Sequence, residues 1–291
     1  MKVSVVITCY NYGLYLTGAI DSVLHQTCNN FEILIIDDGS TDNSAKIAQK
    51  YTTDPRVHYF RQDNGGQAKA KNAGIRYSAG ELIAFLDADD RWAPNKLQKQ
   101  VALFQDPLVG VVFSRAKYID KDGEEIPYNS TGRWFTPKRG KVTEALFIDN
   151  FVPFSSSIVR KECLDRFGTF DETLKMGIDW DLWLRISTGY HFDFVDEPLL
   201  EYRLGHSGQM SKNMEERQRC SDRIMKGFLE NYPEALNSKN VREAYYYTFC
   251  NRGSYWRHIN KEKSYGFLIK AIQAKPFNYR AYKEFLTNLF S

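Results

Sequence analysis

Three carboxylates lie within four positions in the stretch LIAFLDADDRW (82–92), at the end of an apolar run. The five residues before Asp87 have the composition of a fully buried strand, and Asp87, Asp89 and Asp90 follow it. Like charges this close repel one another, so folding alone does not favour the arrangement. Asp87 and Asp89 point the same way in an extended segment, which suits one shared cation. Carboxylate-only ligation favours Mg²⁺ or Mn²⁺, usually completed by a diphosphate and water.

A second acidic pair, Asp37 and Asp38, follows another apolar run, FEILII. Ligands of open α/β sheets lie outside the carboxyl ends of the strands. Turn chemistry alone is the alternative, because Asp is common in turns such as DDGS. Two such clusters at strand ends, in a sequence with no competing group of reactive residues, favour a shared ligand site.

The segments that must position these acids alternate in character over residues 1–115. Short β-branched runs such as VSVVIT and VGVVFS indicate strands, and stretches such as PNKLQKQVALF indicate helices between them. This alternation predicts βαβ units, a mostly parallel sheet and the α/β class. Residues 116–150 are rich in Gly, Pro and charge, which predicts an insertion or loop over the sheet. FVPFSSSIVR is then predicted to be a strand and GIDWDLWLRISTGY a helix.

The chain changes character at about residue 215, where strand-like runs end and helical periodicity takes over. KSYGFLIKAIQAKPFNYRAYKEFL resembles a single tetratricopeptide-like unit, which is too little for a solenoid. A helical cap on the main domain is favoured over an independent binding repeat. Residues 215–291 carry 14 Lys and Arg against 8 Asp and Glu.

That basic balance, together with aromatic residues of the same segment, predicts peripheral contact with a membrane surface or a partner. The aromatic residues concerned are Tyr245, Tyr246, Tyr247 and Trp256. A solvated helix face is the alternative interpretation.

The overall composition, 43% hydrophobic and 26% charged, is typical of a soluble globular protein. The net charge of +3 does not argue for nucleic-acid binding. No apolar run approaches the roughly 18 residues of a membrane span, and the N-terminus turns polar too soon for a signal peptide. The five cysteines are odd in number and lack CxxC spacing, so no zinc site or disulfide framework is indicated. A cytoplasmic location, allowing peripheral contact at the inner face of the membrane, is predicted.

Five motifs, in order, resemble those of the family 2 inverting glycosyltransferases, which use nucleotide sugars and have the GT-A fold. They are VSVVITCYNYGLYLTGAIDSVLHQTCNNFEILIIDDGSTDNS, GGQAKAKNAGI, LIAFLDADD, GTFDETLKMGIDWDLWLRIS and EYRLGHSGQMS. The resemblance ends near residue 212 and implies a GT-A domain over residues 1–214. Within it, the nucleotide-sugar half covers about 1–115 and the acceptor half about 116–214. Residues 215–291 would form a helical C-terminal extension.

The resemblance implies roles for several donor-side residues. Thr8 and Tyr10, at the end of the first strand, would contact the nucleotide base, and a hydroxyl such as that of Thr8 suits a base edge. Asp37 or Asp38 would accept a hydrogen bond from the uracil ring, with Asp37 favoured. Lys71 would lie near the nucleotide, with an exposed helical lysine as an equal alternative.

The same resemblance assigns the metal site. Asp87 would bind the ribose and Asp89 the cation, Mn²⁺ or Mg²⁺, as the DXD motif of the family. His206 would complete the metal site, although two residues separate it from the preceding Tyr-Arg pair where the family commonly has one.

Asp179 corresponds to the catalytic base of the family. Inversion needs a carboxylate that takes the proton of the acceptor hydroxyl while the nucleoside diphosphate leaves from the opposite face. The family usually has Glu before this Asp, and Ile178 replaces it here. A helix N-cap is the alternative role for Asp179. For Asp181, support of the helix dipole is the favoured role.

The sequence therefore predicts a metal-dependent inverting glycosyltransferase that moves a sugar from a nucleotide sugar, with UDP as the favoured nucleotide, to a hydroxyl acceptor. The expected acceptor is a glycan or lipid-linked glycan in bacterial polysaccharide synthesis. A catalytically silent nucleotide-sugar-binding or assembly module is the alternative. A sugar-1-phosphate nucleotidyltransferase is disfavoured, because TCYNYGLYL lacks the Arg and Lys of the Gly-rich loop that such chemistry needs.

Overall fold

The structure is a computed structural model that describes residues 1–127, 136–205 and 213–290. The chain divides into two compact units. The first comprises Met1–Val142 and Phe151–Lys226, and the second comprises Thr143–Asn150 and Gly227–Ser291. The predicted domain boundary after residue 214 stays a prediction.

The first unit contains one sheet, to which nine strands of the described residues contribute. The strands are β1 (Val3–Cys9), β2 (Phe31–Asp37), β3 (Val57–Arg61), β4 (Leu82–Asp87), β5 (Arg91–Trp92), β6 (Val109–Ile119), β7 (Glu125–Ile126), β8 (Ile158–Arg160) and β9 (His191–Arg203). Their order is β3-β2-β1-β4-β8-β6-β9-β5, and β7 pairs with β6.

Eleven helices occur in the described residues. They are α1 (Gly13–Leu24), α2 (Ser44–Tyr51), α3 (Gln67–Tyr77), α4 (Lys96–Ala102), α5 (Thr143–Ile148), α6 (Lys161–Phe167), α7 (Ile178–Ser187), α8 (Met214–Asn231), α9 (Ser238–Trp256), α10 (Lys261–Ala274) and α11 (Tyr279–Phe290). The division between the two units falls inside α8.

The sheet is parallel over β3, β2, β1 and β4 and mixed beyond β4. Every residue of β2 is buried, which explains its uninterrupted apolar run, because strands covered on both faces do not alternate. The α/β class is therefore confirmed, with a sheet that is less uniformly parallel than predicted. Thr8 lies opposite Asp87, and Cys9 lies opposite Asp37, so both acidic clusters lie at one edge of the sheet.

Two segments differ from their predicted local structure. FVPFSSSIVR (151–160) contains a short 3-10 turn at Phe154–Ser156 and becomes a strand only at β8. The region predicted as an insertion contains the end of β6, strand β7 and helix α5, and its residues 128–135 lie outside the described ranges. The thirteen-residue strand β9 was not predicted.

The second unit is helical, with a small core around Tyr246, Cys250, Ala271 and Ala281. Helix α9 begins where the Asn237 side chain accepts hydrogen bonds from two backbone N–H groups, which satisfies donors that a helix start leaves unpaired. Tyr246 and Trp256 are buried, so these two of the four aromatic residues do not offer the predicted contact surface, and the contact itself stays a prediction.

Within the described ranges, no helix has the length and apolar composition that a bilayer crossing requires.

Candidate active site

A buried lysine joins the ends of two neighbouring strands. Lys71 reaches from α3, and its Nζ donates hydrogen bonds to Thr8 Oγ1 at 3.1 Å and to Asp87 Oδ1 at 2.8 Å. The same Nζ lies 4.7 Å from the centre of the Phe154 ring, within range of a cation–π interaction. The Lys71 side chain is only 4% exposed, whereas that of Asp87 is 38% exposed. Lys71 is therefore not the exposed helical lysine that the sequence left open.

This ion pair fixes one face of Asp87 and leaves the carboxylate accessible from solvent. The backbone N–H of Asp87 also donates to Ser155 Oγ at 3.2 Å, which anchors the end of β4. A carboxylate held by a buried cation keeps its orientation, so its remaining lone pairs can accept hydrogen bonds from ligand hydroxyl groups.

The next acids place an excess of negative charge beside this pair. Asp90 is buried, and its Oδ1 accepts a hydrogen bond from the backbone N–H of Arg203 at 2.9 Å. Burial raises the pKa of Asp90 well above its usual range, and the charges of Asp89 and Asp87 raise it further. The pKa of the Tyr12 hydroxyl is also raised, mainly by burial and to a smaller extent by the charges of the same acids. The half-buried Asp89 thus lies between two further carboxyl groups of the same loop.

Arg203 holds the acidic loop in place, and the sequence analysis missed this role. Its Nε donates to the Asp89 carbonyl at 2.9 Å, and its NH1 donates to the Asp120 carbonyl at 2.7 Å. Its guanidinium lies 4.6 Å from the centre of the Tyr15 ring. In the sequence analysis, the arginine of the Tyr-Arg pair was used only to count the residues that separate it from His206. That pair was the only signal in the sequence that pointed to Arg203.

The residues at the end of β4 fit a hard divalent cation. The described part of the chain contains no group of three or more His, Cys, Asp or Glu arranged to hold a metal by itself. However, Mg²⁺ and Mn²⁺ commonly take one or two carboxylates from the protein and the rest of their ligands from a diphosphate and water. Burial is the main cause of the raised pKa of Asp90, and a cation near Asp87 and Asp89 would offset the carboxylate charges that raise it further. His206 lies outside the described residues.

The acidic pair after β2 has a different environment. Asp38 Oδ1 accepts hydrogen bonds from Gln62 Nε2 at 2.7 Å and from Gly65 N at 2.9 Å, and Asp38 Oδ2 accepts one from Gly66 N at 2.8 Å. Asp38 therefore anchors the Gly-Gly segment that precedes α3, and through it the helix that carries Lys71.

Asp37 is also engaged by neighbouring groups. Its Oδ1 accepts a hydrogen bond from Ser40 N at 2.7 Å, and its Oδ2 accepts one from the Tyr59 hydroxyl at 2.7 Å. Arg61 NH1 lies 3.7 Å from Oδ2. Turn chemistry thus operates at both acids, and their recognition of a uracil ring stays a prediction.

Tyr10 follows β1 with an exposed ring. The next residue, Asn11, has a φ of 58°, and its side-chain oxygen accepts a hydrogen bond from Thr41 N at 2.7 Å. Asparagine tolerates this left-handed conformation better than most residues. The contact ties the loop after β1 to the turn after β2, so Tyr10 lies at the rim of the strand ends that carry Thr8 and Asp37.

The proposed base lies in the first turn of α7. Gly177, with a φ of 71°, occupies the N-cap position, so Asp179 is not the N-cap residue. Asp181 Oδ2 accepts hydrogen bonds from Arg185 Nε at 3.0 Å and NH2 at 2.8 Å. Arg185 NH2 also donates to the Thr169 carbonyl at 2.8 Å, so Asp181 supports the helix and the loop before it. Asp179 is half-buried.

Helix α3 links this region to the donor-side strands. Asn72, next to Lys71, donates from Nδ2 to the Phe170 carbonyl at 3.0 Å and to Glu172 Oε1 at 2.9 Å. Its Oδ1 accepts a hydrogen bond from Phe170 N at 3.0 Å. Adjacent residues of one helix therefore hold Asp87 and the loop that leads to α7.

Comparison with known proteins places these features in a family. Residues 4–168 match the family model for glycosyl transferase family 2. An uncharacterized glycosyltransferase of Nostoc sp. is 38% identical over 191 residues, which are 63% of this chain and 56% of that protein. The chondroitin synthase of Pasteurella multocida is 28% identical over 284 residues, which are 94% of this chain and 28% of that protein. The chain thus spans about half the length of the first relative and less of the second.

Solved structures confirm the fold. Staphylococcus aureus TarS 1–349 in complex with UDP-GlcNAc has a TM-score of 0.71 and 20% identity, over 99% of this chain and 89% of that one. The mannosyltransferase PcManGT from Pyrobaculum calidifontis, in complex with GDP-Man and Mn²⁺, has a TM-score of 0.59 and 18% identity, over 99% of this chain and 79% of that one. The predicted GT-A fold and transferase class are therefore confirmed. The chain belongs to glycosyl transferase family 2.

Proposed function

We propose that the chain transfers a sugar from a nucleotide sugar, with UDP as the favoured nucleotide, to a hydroxyl acceptor with inversion of the anomeric carbon. The observation that carries this proposal is the buried Lys71 bridging Thr8 and Asp87, with Asp89 two residues further along. Supporting it, relatives of the chain include chondroitin synthases, and its structural neighbours were solved with UDP-GlcNAc and GDP-Man.

On the donor side, Asp87 accepts hydrogen bonds from the ribose, and Thr8 and Tyr10 contact the base. Asp37 or Asp38 contributes to base recognition. A carboxylate has about four lone-pair sites, so either side chain can accept a further hydrogen bond besides those it already receives. Asp89, with His206, would hold Mn²⁺ or Mg²⁺. When bound, the cation neutralises the diphosphate and stabilises it as a leaving group.

On the acceptor side, Asp179 acts as general base. The acceptor oxygen forms a bond to the anomeric carbon as the bond from that carbon to the diphosphate oxygen breaks. The proton of the acceptor hydroxyl moves to the Asp179 carboxylate, and the electron pair of the broken bond leaves with the nucleoside diphosphate. The ion pair of Asp181 with Arg185 fits a supporting role for Asp181 at the start of α7.

The paired variants Asp179→Asn and Asp181→Asn test the assignment. Asp179→Asn keeps the shape and removes the proton acceptor, so transfer should fall by about 10²-fold or more with UDP affinity nearly unchanged. Asp181→Asn should cost some stability and far less activity. Activity is followed by nucleoside diphosphate release with UDP-, GDP- and dTDP-sugars, and UDP affinity by calorimetry. Near wild-type turnover of Asp179→Asn beside an inactive Asp181→Asn would mean that the base is the other carboxylate.

The acceptor in this proposal is a hydroxyl of a glycan or lipid-linked glycan, as the relatives named chondroitin synthase suggest. A panel of such acceptors, offered with the donor that the nucleotide screen selects, tests this part separately. Release of nucleoside diphosphate that no glycan acceptor stimulates would count against it while leaving donor binding intact.

A further inference from the structure

The second unit exposes an unusual share of large apolar side chains. Seven of the twelve that are exposed among the described residues lie between Tyr255 and Leu286. Four of them form what we call the C-terminal apolar patch: Phe277, Tyr279, Tyr282 and Leu286. Phe277 is fully exposed and Tyr279 is 73% exposed. Single exposed apolar residues are ordinary, but a run of them calls for a partner.

The helical spacing of this patch gives it a defined direction. Tyr279, Tyr282 and Leu286 are separated by three and four residues, so they share one face of α11. The opposite face carries Ala281 and Asn288, which are fully buried. Helix α11 therefore already packs against its own unit on one side and presents a second apolar stripe on the other.

Positive charge accompanies the stripe. Over residues 261–288, five cations are exposed against one exposed carboxylate, that of Glu262. The cations are Lys261, Lys263, Lys270, Arg280 and Lys283. The other acid of this range, Glu284, is ion-paired with Arg257. Lys283 lies between Tyr282 and Leu286 along the exposed side of α11, where its long stem can lie on the apolar stripe and its amine can extend beyond it.

We propose that the C-terminal apolar patch binds the surface of an anionic lipid bilayer, with α11 lying in the plane of the interface. Tyrosine and phenylalanine suit this depth, because their rings enter the apolar region and the tyrosine hydroxyl stays at the headgroups. The cations of α10 and α11 meet lipid phosphates. A fluid layer of phosphates can pair with cations spread over two helices without matched geometry, which favours a bilayer over a protein groove. The inference does not depend on the proposed transfer activity.

Vesicle sedimentation with the full chain tests this inference. The probes are vesicles of phosphatidylcholine alone and vesicles that also contain phosphatidylglycerol, each at low and high salt. Wild type should bind the anionic vesicles at low salt and release them at high salt. The variant Tyr279→Ser/Tyr282→Ser/Leu286→Ser should bind at least about tenfold more weakly, because it loses most of the inserted apolar area.

Two further variants separate charge from apolar area and from unfolding. Arg280→Gln/Lys283→Gln should weaken binding to anionic vesicles by about 10- to 30-fold, since each cation contributes about fivefold. Leu108→Ser, an equally exposed apolar position in the first unit, should bind as wild type does. Circular dichroism and thermal unfolding check that each variant folds, and the Arg280/Lys283 variant remains informative should the triple serine variant unfold.

Three results would overturn the proposal. They are failure of the wild type to bind anionic vesicles, equal binding of the wild type to neutral and anionic vesicles, and wild-type affinity of both patch variants for anionic vesicles. The wild type could fail to bind vesicles and instead form a concentration-dependent dimer in analytical ultracentrifugation. If the three serine substitutions abolished that dimer, the patch would be assigned to contact between proteins.

Discussion

The two acidic clusters of the first unit look alike in sequence but differ in charge balance. Asp37 and Asp38 each receive two or three hydrogen bonds from neighbouring groups, and these bonds shape the turn after β2. At the end of β4, Lys71 pairs with Asp87, while burial, and after it the charges of Asp89 and Asp87, raise the pKa of Asp90. The difference teaches that the surroundings of the acids, rather than their number, distinguish the two clusters.

The largest expected effect comes from Asp89→Ala. This change should abolish metal-dependent donor binding and lower transfer by about 10²-fold or more, because the diphosphate would lack its bridging charge. The free energy of unfolding should not fall, since a source of repulsion with Asp90 is removed. Calorimetry of UDP with and without Mn²⁺, together with urea unfolding, measures both. Equal UDP affinity of wild type with and without metal would refute the cation assignment.

Asp38→Ala should lower the stability of the fold and spare the metal dependence of donor binding, the reverse of what is expected for Asp89→Ala. It leaves the N–H groups of Gly65 and Gly66 without their acceptor, so the free energy of unfolding should fall by about 2–4 kcal/mol. Where the variant folds, the metal dependence of UDP binding should persist. Urea denaturation measures the loss, and Asp38→Asn, which retains one carbonyl oxygen, is the matched control with a smaller expected loss. An Asp38→Ala protein as stable as wild type would contradict the anchoring role.

Lys71→Met is expected to weaken donor binding by removing the partner of Asp87. It removes the cation from Asp87 while keeping an apolar stem against Phe154, so donor KM should rise about tenfold, equivalent to about 1.4 kcal/mol. Asp87→Asn should raise donor KM less when it is added to Lys71→Met than when it is made in the wild type. The coupling free energy between the two changes should be about 0.5–3 kcal/mol. Additive effects on KM in this double-mutant cycle would show that the two side chains act independently.

The smallest effect is expected for Tyr59→Phe. The change removes one hydrogen bond to Asp37 and should lower the free energy of unfolding by about 0.5–1.5 kcal/mol. UDP affinity should change less than about twofold, because Ser40 still fixes the other carboxylate oxygen of Asp37. Thermal unfolding and calorimetry supply the two values. A large loss of UDP affinity without a loss of stability would place Asp37 closer to ligand recognition than to turn chemistry.

Local patterns were sufficient to predict the α/β class, the strand ends that carry Asp37 and Asp87, and the family. They failed where the deciding contact is distant in sequence. The burial of Lys71 depends on a partner sixteen residues away on another element, which no periodicity reports. Strand β9 contains Pro198 and several charged residues, and it forms because the eleven-residue strand β6 offers a long pairing edge. Arg203 could not be placed at the acidic loop before that pairing was known.

The position of β8 and β9 in the sheet has a consequence for synthesis of the chain. Strand β4 lacks its outer neighbour until residue 160 has been made, and the loop with Asp89 lacks its brace until Arg203 follows. At about 5–20 residues per second, a ribosome needs roughly 6–23 s to go from Asp87 to Arg203. Until residue 160 has been made, the nascent chain exposes the unpaired edge of β4. Strand pairing of the first 115 residues is therefore completed by segments translated after them, and we expect that a piece ending at residue 115 would lack the support of β4 and of the loop with Asp89.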